Sequence, residues 1–209
     1  MARGPFITLE GGEGAGKSTQ AARLTARLRA LGREALATRE PGGSVGAEAI
    51  RALLVNGEAD RWSPEAETLL MYAARLDHVE RTIAPARAVG ATVVCDRFAD
   101  STRAYQGAGG GASPALIDAL EREMRALCWP DLTLIFDLDA EAGLARAAGR
   151  ASGETRFETK GLGFHERLRG AFLVIAAAEP TRCVLIDASA EPDAVEAEVW
   201  GAVSERFGL

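Results

Sequence analysis

The chain has 209 residues, 47% hydrophobic and 26% charged, with a formal net charge of −6. That is the size of one domain and too apolar for a disordered polymer. No apolar run approaches the roughly 18 residues of a membrane-crossing helix, and the N-terminal residues lack the apolar core of a signal peptide. The acidic balance argues against a general nucleic-acid binder, which needs a broad basic face. Cys95, Cys128 and Cys183 are scattered and form no C-x-x-C pair, which fits reduced thiols in a cytoplasmic protein and not a disulfide frame or a zinc site. Of the 24 basic residues only Lys17 and Lys160 are lysines. A polyanionic ligand of such a chain should be small and held locally.

In chain order, Phe6, Ile7, Thr8 and Leu9 read as a first strand. A helix over 17–31 follows, with Ala21, Leu24, Leu28 and Leu31 at helical spacing and Gly32 placed to end it. A weaker strand over 34–38 runs into the loop Arg39-Glu40-Pro41-Gly42-Gly43. Helices are expected over 47–55 and 64–88, with Pro85 a break near the end of the second. Strands over 92–95, 132–136 and 183–186 alternate with helices at about 113–127, 140–149, 163–178 and 192–207. The alternation predicts an α/β fold with a five-stranded parallel sheet and helices on both faces. Ligands of such sheets sit beyond the carboxyl ends of the strands.

Beyond the first strand stands Gly11-Gly12-Glu13-Gly14-Ala15-Gly16-Lys17-Ser18. This is an ungapped G-x-x-x-x-G-K-[ST] in strand–loop–helix context, the phosphate cradle of a P-loop NTPase fold. Glycines let successive backbone amides turn toward one anion, and the helix beginning at Lys17 adds its positive end. Gly11 through Ser18, with Thr19, are therefore the expected ATP-binding residues. Lys17 meets the β- and γ-phosphates, and the Ser18 hydroxyl ligates Mg²⁺. No N-K-x-D guanine-reading motif is present, which argues against a common GTPase. A partitioning or motor ATPase remains open from this motif alone.

The third strand ends in Asp96-Arg97-Phe98, followed by Ser101-Thr102-Arg103-Ala104-Tyr105-Gln106-Gly107. Asp96 at a strand end beside the P-loop suits the second metal ligand, and Arg97 can offer its planar fork to a second phosphate. Asp137, after an equally hydrophobic strand, is the other candidate acid.

Together with Arg39-Glu40-Pro41-Gly42-Gly43 and Ala73-Ala74-Arg75 plus His78, these motifs resemble the thymidylate kinase family nearly end to end. The resemblance implies Mg²⁺-dependent transfer of the ATP γ-phosphoryl group to dTMP, giving dTDP and ADP for dTTP synthesis. It also implies a dTMP site of Glu13, Arg39, Pro41, Met71, Arg75, Arg97, Ser101, Thr102, Tyr105 and Gln106. There Arg97, Arg75 and Arg39 would hold the acceptor phosphate, Glu13 would approach the sugar hydroxyl or the metal, Thr102 would face the thymine edge and Tyr105 the deoxyribose. Met71 stands where relatives commonly carry an aromatic ring over the base.

The variable P-loop positions hold no cation, so the resemblance places this chain with members that bring the catalytic cation from a lid. A polar stretch at about 150–162 reads as that lid. Arg150 and Arg156 are its candidate catalytic arginines, beside Lys17, Arg97 and Glu13 in the cleft. Arg156-Phe157-Glu158 is similar to the family's lid segment, with Thr155 where an acid is usual. The whole 1–209 is expected to form one domain. Its expected partners are ATP, dTMP and a second copy through the helix around Leu69-Leu70-Met71, with no nucleic acid or membrane partner. Two other readings remain: a deoxynucleoside kinase, which needs a general base for its hydroxyl acceptor, and a partner-stimulated P-loop ATPase.

Overall fold

The computed structural model describes residues 3–58, 60–149, 156–157 and 159–209. Five strands, β1 (Phe6–Gly11), β2 (Ala35–Arg39), β3 (Thr92–Asp96), β4 (Leu132–Asp137) and β5 (Cys183–Asp187), pair in the order β2-β3-β1-β4-β5. Every pairing is parallel. β1 is central and buried over its whole length, the polar Thr8 and Glu10 included.

The period of two along β1 divides the core. Ile7 and Leu9 pack with α1 (Lys17–Ala30) and α9 (Pro192–Phe207), through Leu24, Leu28, Val195 and Val199. Phe6 packs on the other face with Tyr72 of α3 (Pro64–His78) and Met124 of α6 (Pro114–Leu127). On that second face Ile135 of β4 meets Phe164, Leu168 and Phe172 of α8 (Leu162–Ala178). Thr8 and Glu10 share the parity of Phe6, so one strand residue with a carboxyl group is buried toward the second face.

The remaining helices are α2 (Val45–Val55), α4 (Ala84–Ala88), α5 (Ala99–Thr102) and α7 (Ala140–Ala148). One region departs from the sequence expectation. Pro85 does not break the helix expected over 64–88. A π-helical turn, Val79–Ile83, precedes α4 and places Pro85 in its first turn, where its missing N–H costs little. α5 continues through the glycine-rich stretch after Gln106 as a π-helical segment, Arg103–Gly109. Its glycine content serves close packing: a Cβ at Gly109 would lie 2.6 Å from the Phe164 ring of α8. Among the described residues no helix is long and apolar enough to cross a membrane.

Candidate active site

β1 runs straight into the phosphate loop. Gly16, the residue before α1, has φ 84° and makes no side-chain cap, and the first turn of α1 carries no acid. The leading amides of α1 are thus left for an external anion. Gly14, at φ 69°, lies so close to α7 that a Cβ would come within 2.0 Å of the Gly143 carbonyl oxygen, so the loop's path requires glycine there. Lys17 Nζ donates to the Gly12 carbonyl at 2.5 Å. Burial and the neighbouring Arg97 bring its ammonium down to about 8, against the pull of Glu13, Asp96 and Glu10.

β3 lies beside β1, with Leu9 opposite Asp96, so its carboxyl end faces the same loop. Ser18 Oγ donates to Asp96 Oδ2. Asp96 Oδ1 is buried without a hydrogen-bond partner. A hydroxyl beside a carboxylate with a spare buried oxygen fits Mg²⁺, which takes few protein ligands and fills its sphere with phosphates and water. Among the described residues no cluster of three or more acids, cysteines or histidines offers a denser cage. Asp137 is engaged otherwise, with Arg169 at 2.7 Å.

The opposite wall is built from paired charges. Arg97 has φ 70° and is the one non-glycine residue with positive φ among those described. Its Nη1 donates to Gly11 O at 2.8 Å and to Ser101 Oγ at 3.3 Å, and its Nη2 reaches Glu13 Oε1 at 3.1 Å. Tyr105 donates its hydroxyl to the same Glu13 oxygen at 2.7 Å and lies under the Arg97 guanidinium. Burial pushes the Glu13 carboxyl up, but Arg97, Lys17 and the Tyr105 hydroxyl outweigh it and hold it near 2.

Arg75 is buried on α3. Its Nε donates to Glu40 Oε2 at 2.7 Å and its Nη2 to Phe98 O and Thr102 Oγ1, while Nη1 is buried without a hydrogen-bond partner. The other Glu40 oxygen lies 3.0 Å from His78 Nδ1, and His78 Nε2 lies 2.7 Å from Thr38 Oγ1. His78 is therefore a buried link in the Arg75 support.

One cleft brings together Glu13 through Ser18 with Arg39, Pro41, Met71, Arg75, Asp96, Arg97, Ser101, Thr102, Tyr105 and Gln106. Its two sides are a triphosphate cradle and a row of arginines on carboxylate supports. The thymidylate kinase family model matches residues 9–199. The chain belongs to the thymidylate kinase family. It is accordingly a phosphotransferase of the nucleoside monophosphate kinase class. It is 64% identical over the full length of both chains to a thymidylate kinase of Caulobacter vibrioides. It is 55% identical to one of Bradyrhizobium diazoefficiens, over 98% of this chain and 91% of the relative. The crystal structure of the Ehrlichia chaffeensis thymidylate kinase superposes with a TM-score of 0.77 at 32% identity, covering 96% of this chain and 99% of that one.

Within this thymidylate kinase family member, some expected residues stand elsewhere. Gly11 and Gly12 contribute their carbonyls to Arg97 and Lys17 and are not on the cleft wall. Thr19 is exposed on the first turn of α1. Arg150 and most of the expected lid, including Thr155 and Glu158, lie outside the described residues. Arg156, expected to face the phosphates, is instead buried on the α2–α3 side. It pairs with Glu67 at 2.5 Å and donates to Leu54 O and Glu58 O, because the carbonyls at the end of α2 and a buried carboxylate together satisfy its fork. Its neighbour Phe157, within the stretch expected as the lid, lies on the cleft wall edge-on to Tyr105.

Four wall or support residues escaped sequence reading as individuals: Glu40, Arg51, Val55 and Phe157. Glu40 was visible only as part of the Arg-Glu-Pro loop, and α2 carries no sequence mark of a binding role. Arg103 bridges Asp100, Glu121 and Glu179, away from the reacting groups. The second lysine, Lys160, stands over the rings of Phe164 and Phe157.

Proposed function

We propose that this cleft transfers the γ-phosphoryl group of ATP to dTMP, giving dTDP and ADP, with the following division of labour. The amides of the phosphate loop and α1 take the triphosphate, and Lys17 leaves the Gly12 carbonyl to meet the β- and γ-phosphates. Ser18 and Asp96 would hold the Mg²⁺ of ATP, which neutralises charge on those phosphates. Arg97, joined by Arg75 through its spare Nη1 and by Arg39, directs the dTMP phosphate. Glu13 and Tyr105 bound the sugar, and Thr102, Met71 and Gln106 line the base.

The attacking atom is already a phosphate oxygen, so no side chain need remove a proton from it. Catalysis is alignment and charge stabilisation. The lid cation is assigned to Arg150 and Arg156, and Arg156 would act only on leaving Glu67. The observation that carries this reading is Arg97 on the Gly11 carbonyl at 2.8 Å, which makes the acceptor-side cation and the donor loop one unit.

A coupled assay offering ATP with dTMP, dUMP, dCMP, dGMP or thymidine tests the reading. Strong preference for dTMP is expected. Activity on thymidine alone, or hydrolysis without transfer, overturns it. We also assign a cytoplasmic location, one domain over 1–209 with a lid at 150–162, and a homodimer. The dimer is supported by Leu69 and Leu76, which are 50% and 40% exposed on one side of α3. Sedimentation of Leu69→Glu as a monomer, against a dimeric parent, is the expected result.

A further inference from the structure

Glu10, on the central strand, is fully buried and takes no part in the reaction described above. Its partners are specific. Oε1 accepts the Phe98 backbone N–H at 2.7 Å, and Oε2 accepts the Ser101 hydroxyl at 2.6 Å. Both donors follow closely on the residue whose backbone departs from the ordinary, Arg97 at φ 70°. The left-handed region is disfavoured for a long side chain and persists only where surrounding contacts over-determine it. Arg97 N is fixed to Leu9 O at 2.9 Å, so β1 holds the turn twice, at the Arg97 amide through the Leu9 carbonyl and just after it through the Glu10 side chain.

The second contact reaches the guanidinium. Because Ser101 gives its proton to Glu10, its oxygen faces Arg97 Nη1 as an acceptor, 3.3 Å away. A carboxylate, a hydroxyl and a guanidinium thus form a directed chain. Keeping an acid here is costly: burial, with Asp100 nearby, pushes the Glu10 carboxyl up to about 7 against the help of Ser101, Arg97 and the Phe98 amide. Asp100 is itself engaged by Arg182 at 2.7 Å and does not relieve that cost.

We propose that Glu10 is a positioning residue for phosphoryl transfer, holding Arg97 by its backbone and through Ser101 so that the guanidinium spans Gly11 and Glu13 at the acceptor side of the phosphate loop. The inference rests on the reading of Arg97 as the acceptor-phosphate ligand. Glutamine in place of Glu10 keeps one acceptor oxygen and exchanges the other for an NH₂ group that cannot accept from Ser101.

The test is a double-mutant cycle on the full chain, with kcat and KM measured for dTMP and for ATP. Glu10→Gln should lower kcat/KM for dTMP by about 10- to 100-fold while KM for ATP stays within about twofold. Ser101→Ala should move the same parameter in the same direction by less. In an Arg97→Ala background, Glu10→Gln should cost less than about twofold more, since its effect passes through the missing side chain.

Should Glu10→Gln fail to fold, Ser101→Ala takes its place in the cycle under the same criterion. Equal damage to ATP and dTMP parameters, or losses that multiply in the double variant, overturn the positioning role alone. Wild-type dTMP kinetics in Arg97→Ala overturn the acceptor-side reading itself, and the positioning role with it.

Discussion

The two halves of the cleft are built on opposite plans. The proposed donor half is a single uninterrupted segment, with 13–18 on the cleft wall, that offers backbone amides and the start of α1 to an anion. The acceptor half draws on β1, the loop after β2, α3, the turn after β3 and the segment behind it. Its cations are each set on a carboxylate: Arg97 on Glu13, Arg75 on Glu40, Arg39 on Glu48. A backbone cradle is held by close main-chain contacts, as where Gly14 lies against Gly143 of α7. A row of arginines becomes rigid only when acids from elsewhere occupy the rest of each fork. The donor half should therefore tolerate loss of a side chain without loss of fold, whereas the acceptor half should couple catalysis to stability.

Lys17→Ala should show the largest effect and the cleanest separation. Transfer should fall by roughly 10³-fold or more, the scale of a lost phosphate-directed cation, with a melting temperature within a few degrees of the parent. An active variant would remove Lys17 from the mechanism, and an unfolded one would break the comparison.

On the other wall, Arg75→Ala should lower kcat/KM for dTMP by about 10²-fold with little change in KM for ATP. It should also lose stability, because it strands the buried Glu40 carboxylate. Steady-state kinetics and thermal melts on the same preparation check both halves of that statement.

Glu40→Ala should then destabilise by about 3–5 kcal/mol, the usual result of removing one member of a buried pair. For a chain of this length that is a fall in Tm on the order of 10 °C. A melt near the parent's would mean that the acceptor wall does not rely on its acids.

The smallest effect belongs far from the chemistry. Glu179 receives Arg182, Arg103 and Arg125. Burial raises its carboxyl, but these three arginines together bring it down to about 2 from an ordinary 4.5. A depressed carboxyl stabilises the fold fully above its unfolded value, and that contribution is lost as pH falls from about 4.5 through about 2. Glu179→Gln should therefore cost about 1 kcal/mol at neutral pH, and the deficit relative to the parent should shrink on acidification across that window. Urea melts at pH 7 and pH 3 would show it.

The order of strands and helices was largely legible in the sequence, since apolar periodicity and glycine or proline punctuation are local signals. It failed at Pro85, where a π-helical turn carries the helix on and sets the proline in the first turn of α4. Within the site, the motif residues were legible but their partners were not. Nothing in the spacing of Arg156 announces Glu67, which is 89 positions earlier, or the carbonyls of α2 that hold it.

By itself, the sequence determined the phosphate loop, the alternation of strands and helices that implies a parallel sheet, and the family, because each is carried by short motifs and local periodicities set by near neighbours. Only the tertiary structure decided which strand-end acid meets Ser18, where Arg156 is docked, and that Glu10 and Glu40 stand behind Arg97 and Arg75. Those are pairings between charges brought together by strand order and helix packing. A buried charge accepts whichever partner the fold places within hydrogen-bond reach, and that distance is not encoded in any one segment of the chain.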